Sequence, residues 1–320
     1  MNNREDLQAI TKFRKSFNKS SLTTRNIKRN IEMYFIVFPT LLYFVIFCYG
    51  PMYGVQIAFK DFLPSKGILG SEWVGFKHFV KFFNGPYFWV LIRNTFIISI
   101  YSIAVGFPLP IILAVMLNYQ KNMVFKKIVQ TTSYAPHFIS IVVVVSMLKL
   151  FASPTNGIIN VIIKMSGGSA INFMAIPEYF RSIYVWSGIW QDIGWGAIIY
   201  IGALSMVSPE LHEAAIVDGA SVLKRIWHVD IPGIFPTMSI MFILSMGSIL
   251  AVGFEKIYLM QNDLNASVSE VIATYVYKVG LIQTQYSFTS AVGLFNSLIN
   301  FIILIIVNFL FRRTGKTSLF

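Results

Sequence analysis

The sequence predicts an all-α membrane protein that crosses a bilayer six times. Three observations predict it. Of 320 residues, 55% are hydrophobic and only 12% are charged, where a soluble chain carries about 25% charged residues. Six segments reach the roughly 20 mainly apolar residues that a helix needs to cross the hydrocarbon core. The cations gather between those segments instead of on one face. This composition excludes a disordered tail, a disulfide-stapled secreted domain and a soluble enzyme.

The elements follow in order. Residues 1–32 form a basic arm, residues 33–311 a transmembrane domain and residues 312–320 a short tail. The spans are 33–59, 93–117, 128–151, 183–207, 237–261 and 286–311. The first runs on through Gly50-Pro51 without a small-residue cleavage site, so it reads as a retained span, not a leader. Cys48 inside it is the lone cysteine, a thiol in apolar packing that cannot close an intrachain disulfide. Pro39, Pro108, Pro110 and Pro136 fall within spans and should kink them. Kinks at depth need neighbouring helices or cavity water to satisfy freed carbonyls, which implies a packed bundle.

Orientation follows from Lys and Arg. The net charge is +12, from 26 Lys and Arg against 14 Asp and Glu. With the arm inside, sixteen of the cations lie in the arm, in 118–127, in 208–236 and in 312–320. Seven lie in the opposite loops 60–92, 152–182 and 262–285. Both termini are therefore expected in the cytoplasm. This distribution also argues against nucleic acid, whose binding needs cations on one face of a soluble fold.

The chain lacks the signatures of chemistry. His78, His137, His212 and His228 are scattered and read as loop or packing residues, with no HExxH or Cys/His spacing for a metal. Gly315-Lys316-Thr317 matches the end of a phosphate-binding loop, but Leu310 stands where its first glycine belongs. There is no G-x-S-x-G elbow. No cofactor and no catalysis are expected in this chain. If it moves a solute uphill, the energy must come from another subunit or an ion gradient.

The loop 208–236 carries the strongest signal. Ser208 suits a helix N-cap, Pro209 the first helical position and Glu210 the positive dipole end. Leu211, Ala214 and Ala215 form one apolar stripe, and Gly219 suits the left-handed residue that ends the helix. A second stretch, Val222 to Val229, should stop at Pro232. The small alanines would let the helix sit deep in a partner's groove with Glu213 and Asp218 at its rim. Pattern alone leaves docking and self-packing level.

Glu213-Ala214-Ala215, three residues, Gly219, nine residues and Val229-x-Ile231-Pro232 resemble the EAA motif of ABC importer permeases, E-A-A-x3-G-x9-I-x-L-P, with Val and Ile replacing its hydrophobic pair. The resemblance extends to Gly50–Phe62, Gly106–Ala114, Tyr134–Ser140, Tyr275–Leu281 and Thr289–Asn296, which are similar to the carbohydrate-uptake, LplB/YteP-type subgroup. It implies the MetI/MalF-like permease fold and a place in the bacterial cytoplasmic membrane. It implies that Glu213, Ala214, Ala215, Asp218 and Gly219 couple to an ATPase. The implied partners are a second related permease, two ATP-binding cassette subunits that hold ATP and Mg, an extracytoplasmic solute-binding lipoprotein and an oligosaccharide.

A sugar site needs aromatic faces beside a few directed polar groups. Span four offers Trp190, Gln191, Asp192 and Trp195, with positions 191 and 195 on one helical face. An ionisable residue at membrane depth usually faces a cavity or a partner helix, so Asp192 is either a ligand or a tie. Gly247 and Ser248 in span five and Asn296 in span six complete the candidate pathway. Lys256 is expected to snorkel to the interface. Two rivals remain. A membrane-embedded transferase would need acidic or histidine clusters at a membrane face, and an ion-coupled secondary carrier would favour internal repeats.

Overall fold

A computed structural model describes residues 30–313. The basic arm up to residue 29 and the tail from residue 314 lie outside the described residues. The chain divides into two compact units between Gln56 and Ile57.

The first unit is built on helix α1, Ile31–Tyr43, which passes into a π turn at Phe44–Tyr49. Pro39 lies inside α1 and cannot donate to the carbonyl four residues before it. None of the side chains from Ile31 to Tyr49 is buried, Cys48 included. A helix that is apolar all round and exposed all round is at home in lipid.

The second unit opens with a two-stranded antiparallel ribbon, β1 (Lys60–Asp61) against β2 (Glu72–Trp73), and the short helix α2, Lys77–Phe83. Lys77 donates to Asp61 Oδ2 at 2.6 Å, and this bond holds the Asp61 carboxyl below its ordinary range. Helices α3 (Phe88–Gly106) and α4 (Pro108–Tyr119) then run end to end. Pro108 sits in the first turn of α4, where its missing N–H interrupts little.

Helix α5, Met123–Tyr134, starts on Asn122, whose side chain accepts from Val124 and Phe125. Pro136 follows in a 3-10 turn, Ile139 is extended, and Ser140 caps a new helix, α6, Ile141–Phe151. The two halves meet at 100°. The span expected over 128–151, with a kink at Pro136, is thus broken outright. Proline starts the break and a fresh N-cap completes it.

Helix α7, Ile158–Met165, precedes the long helix α8, Pro177–Leu204. Gly194 of α8 faces Ser133 of α5 so closely that a Cβ there would overlap its backbone, so the two helices meet at a small residue. The loop helix α9 is Pro209–Val217. Helix then runs from Val222 to Gly247, through a π turn at Ile226–Asp230 into α10, Ile231–Gly247. Pro232 does not stop it, contrary to the sequence reading. It lies in the first turn after the π turn, where the wider ladder tolerates a missing donor.

The expected span 237–261 is likewise displaced. After Gly247 the helix gives way, and Leu250 N donates to Asn300 Oδ1 at 2.9 Å, which satisfies a freed backbone group. Helix α11, Phe254–Met260, then returns. Helices α12 (Ile272–Tyr277) and α13 (Tyr286–Arg313) complete the unit.

Among the described residues, four helices are long and apolar enough to cross a membrane, five if the bent pair is one span. Helix α8 is not among the four, because Gln191 and Asp192 dilute its apolar stretch. Three cores hold the unit together. One joins α4, α8 and α10 through Ile111, Ala114, Ala197, Tyr200 and Ile234. A second packs α2 and α3 on α12 and α13 around Phe82, Leu91 and Phe288. The third gathers Ile98, Val145, Phe180 and Ile257.

Candidate functional site

Two features stand out: the loop helix α9 and a cavity between the helices above it. Helix α9 has the ends that its sequence predicts, with Ser208 at the N-cap and Pro209 and Glu210 in the first turn. The Ser208 side chain makes no capping bond. Gly219 has φ +72, the left-handed region that side chains resist. Ala220 N donates to Ala215 O at 2.8 Å and Gly219 N to Ile216 O at 3.0 Å. This double closure is a Schellman motif. It gives the spacing from Ala215 to Gly219 a physical reason, since the glycine must stand four residues on for the next amide to reach back.

No residue of α9 is buried. Glu213, Ala214, Asp218 and Gly219 are exposed and Ala215 is half-buried. Leu211, Ile216 and Val217 are 55%, 56% and 87% exposed. A helix that packed on its own bundle would hide these groups. Helix α9 thus leaves apolar side chains uncovered among the described residues.

The cavity holds about 840 Å³ and lies between α3, α4, α8, α10 and α11. Its polar wall is Ser102, Gln191, Asp192, Ser245, Glu255 and Lys256. Gln191 and Asp192 line it. Trp190 and Trp195 are not among its lining. Trp195 instead stacks on His137 at 4.4 Å with the rings 4° from parallel, and His137 Nδ1 lies 2.8 Å from Asp192 Oδ1. Gln191 Nε2 donates to Ile139 O at 2.9 Å. One face of α8 thus clasps the break in the bent pair, and Asp192 is both wall and tie.

The remaining candidates are placed apart. Gly247 faces Leu304 of α13 and serves close helix packing. Ser248 borders a smaller neighbouring cavity with Ser99 and Tyr184. Asn296 does not line the main cavity, and among the described residues its buried Oδ1 has no hydrogen-bond partner.

Lys256 corrects the expectation of snorkelling. It is 6% exposed, donates to Tyr184 O at 3.0 Å and lies 5.0 Å from the centre of the Tyr184 ring. Gly188 makes room for it, since a Cβ there would stand 3.2 Å from Nζ. The signal available in the sequence was that glycine, one turn after Tyr184 on the facing helix. His137 and His212 also have specific carboxylate partners, Asp192 and Asp230. Among the described residues no cluster of metal-ligating side chains occurs.

Comparison with known proteins places these features in context. Residues 106–316 match the family model described as the inner membrane component of binding-protein-dependent transport systems. The chain is 42% identical over 288 residues to the polygalacturonan/rhamnogalacturonan transport system permease protein YteP of Bacillus subtilis (strain 168), covering 90% of each chain. It is 42% identical to protein LplB of the same organism over 294 residues, 92% of each. Among solved structures it resembles a chain of a bacterial ABC transporter involved in import of the acidic polysaccharide alginate. That match has a TM-score of 0.85 at 38% identity and covers 91% of this chain and 99% of the other.

Proposed function

This chain belongs to the family of inner membrane components of binding-protein-dependent transport systems, and on that premise we propose that it is the permease subunit of an ATP-driven oligosaccharide importer. The observation that carries the reading is the exposed, Schellman-closed helix Pro209–Val217, whose chain continues directly into a cavity-lining helix. Glu213, Ala214, Ala215, Asp218 and Gly219 present this helix to an ATPase subunit, where ATP and Mg bind. Hydrolysis takes place there, and this chain performs no chemistry.

The cavity is this chain's share of the translocation pathway, with a second, related permease supplying the rest. Gln191 and Asp192 offer an amide and a carboxylate to sugar hydroxyls, and Lys256 offers a buried cation. The bent pair and α8 each count as one span, which brings the total to six. Both termini lie in the cytoplasm, and an extracytoplasmic solute-binding lipoprotein delivers the sugar on the opposite side. Names of relatives support an oligosaccharide as the cargo.

The test is co-purification of the chain with its partner permease and ATPases, followed by a screen of oligosaccharides with the binding protein present. Stimulated ATP hydrolysis and uptake into vesicles by at least one oligosaccharide support the reading. Stable assembly without response to any sugar, but with response to another solute class, contradicts it.

A further inference from the structure

Helix α9 must pass its motion to the membrane domain, and the side chains show how. Among the described residues, every side-chain hydrogen bond, ion pair or ring contact from α9 to another element comes from His212. Its Nε2 lies 3.2 Å from Asp230 Oδ1, and its ring meets Tyr119 edge-on at 6.4 Å. Asp230 is fully buried at the last position of the π turn that opens α10. The other carboxylate oxygen accepts from Tyr119 Oη at 2.7 Å. Tyr119 is the last residue of α4, and Arg225 covers its ring with the guanidinium carbon 5.6 Å from the centre.

A carboxylate in a dry site is stable only while its partners stay in place. Asp230 has a hydrogen-bond partner on α4, Tyr119, while its Oδ1 accepts no hydrogen bond among the described residues and meets His212 of α9 at ion-pair distance; it stands directly before α10. Helices α4 and α10 pack on α8 through Ile111, Ala114, Tyr200 and Ile234. The same three helices line the cavity with Pro110, Gln191, Asp192 and Ser245.

We propose that Asp230 is the positioning residue of energy coupling: it latches the docking helix, through His212, to the two cavity-lining helices α4, which ends at Tyr119, and α10, which follows directly after Asp230. Displacement of α9 then moves α4 and α10 together. Without the latch, the loop between Val217 and Val222 absorbs the displacement. Asp230 closes the π turn, a local widening of the helix that often marks functional positions, and there faces Tyr119 and His212.

The inference rests on the importer reading only as far as ATPase coupling, so its test avoids any sugar. The full complex is assembled with Cys48 replaced by alanine and a single reporter, Ser102→Cys, in the cavity wall. Thiol labelling is compared with and without ATP plus vanadate. In the otherwise unchanged background labelling shifts severalfold on trapping. His212→Ala and Asp230→Asn keep complex yield and ATP hydrolysis within twofold but lose the shift, while His212→Lys, which places a cation opposite Asp230, restores it. A full shift in His212→Ala overturns the latch. So does loss of assembly in both variants with a normal shift in the complexes that remain, which would make the cluster structural only. Absence of sugar uptake in these same vesicles bears on the cargo and leaves the labelling result standing.

Discussion

Lys256 and Tyr184 are joined twice, by a 3.0 Å bond from the ammonium to the tyrosine carbonyl and by the ring beneath the same charge. No carboxylate lies within ion-pair distance of that lysine among the described residues. A buried cation without a close counter-charge costs stability, so replacing it with an apolar chain of similar length is neutral or stabilising. Lys256→Met should therefore leave the melting temperature of the complex unchanged or raised. Uptake should fall about tenfold or more, the equivalent of one lost hydrogen bond to a charged group at roughly 1.5–3 kcal/mol. Uptake at the wild-type level would remove Lys256 from the pathway.

Asp192 separates wall from tie. Its side chain is 62% exposed while it holds His137, so the pair should add less than about 1 kcal/mol of stability. Asp192→Asn keeps an acceptor toward His137 and loses only the charge. Both Asp192→Asn and Asp192→Ala should cut uptake severely, with thermal stability nearly unchanged. A large drop in melting temperature with uptake per folded complex intact would show that the tie is the whole role.

Gly219 is tested by its backbone angle. At φ +72 a Cβ costs about 1–2 kcal/mol, a penalty that asparagine partly escapes through local hydrogen bonding. Gly219→Ala should weaken ATPase association, and Gly219→Asn should retain most of it. Pull-down of the ATPase from detergent-solubilised membranes reads the difference. Equal binding by both variants and the wild type would mean that the Schellman closure does not shape the docking surface.

Topology follows from sixteen cations on one side against seven on the other. A reporter fused at either terminus should report cytoplasm, and one inserted near Gly167-Gly168 should report the opposite side. The reverse result at one end would mean that α8 or the bent pair does not span.

What could be read from the sequence was the chemistry that acts over a few residues. Ser208, Pro209 and Gly219 mark the ends of α9 because caps and left-handed glycines are local devices. Pro136 announces a kink for the same reason. The 100° turn there depends on what α8 offers across the gap, namely Gln191 to Ile139 and Asp192 to His137. Those bonds connect residues more than fifty positions apart. Hydropathy likewise placed span five too late, because it registers neither the polar start at Val222 nor the break that Asn300 satisfies. The burial of Lys256 is not legible locally, because it depends on space left by Gly188 on another helix. Trp195 joined the expected sugar platform by helical spacing, but its ring is held by His137.

The most direct measurement is uptake by the reconstituted complex carrying Glu213→Lys, with ATPase co-purification and membrane insertion measured alongside. Glu213 is exposed on α9, so the reversal of charge leaves the fold of this chain untouched and alters only the surface proposed to dock. The expected result is normal insertion, weakened association with the ATPase and no ATP-driven uptake. Normal association and uptake in that variant would contradict the docking role of the helix, and with it the coupling of this subunit to ATP.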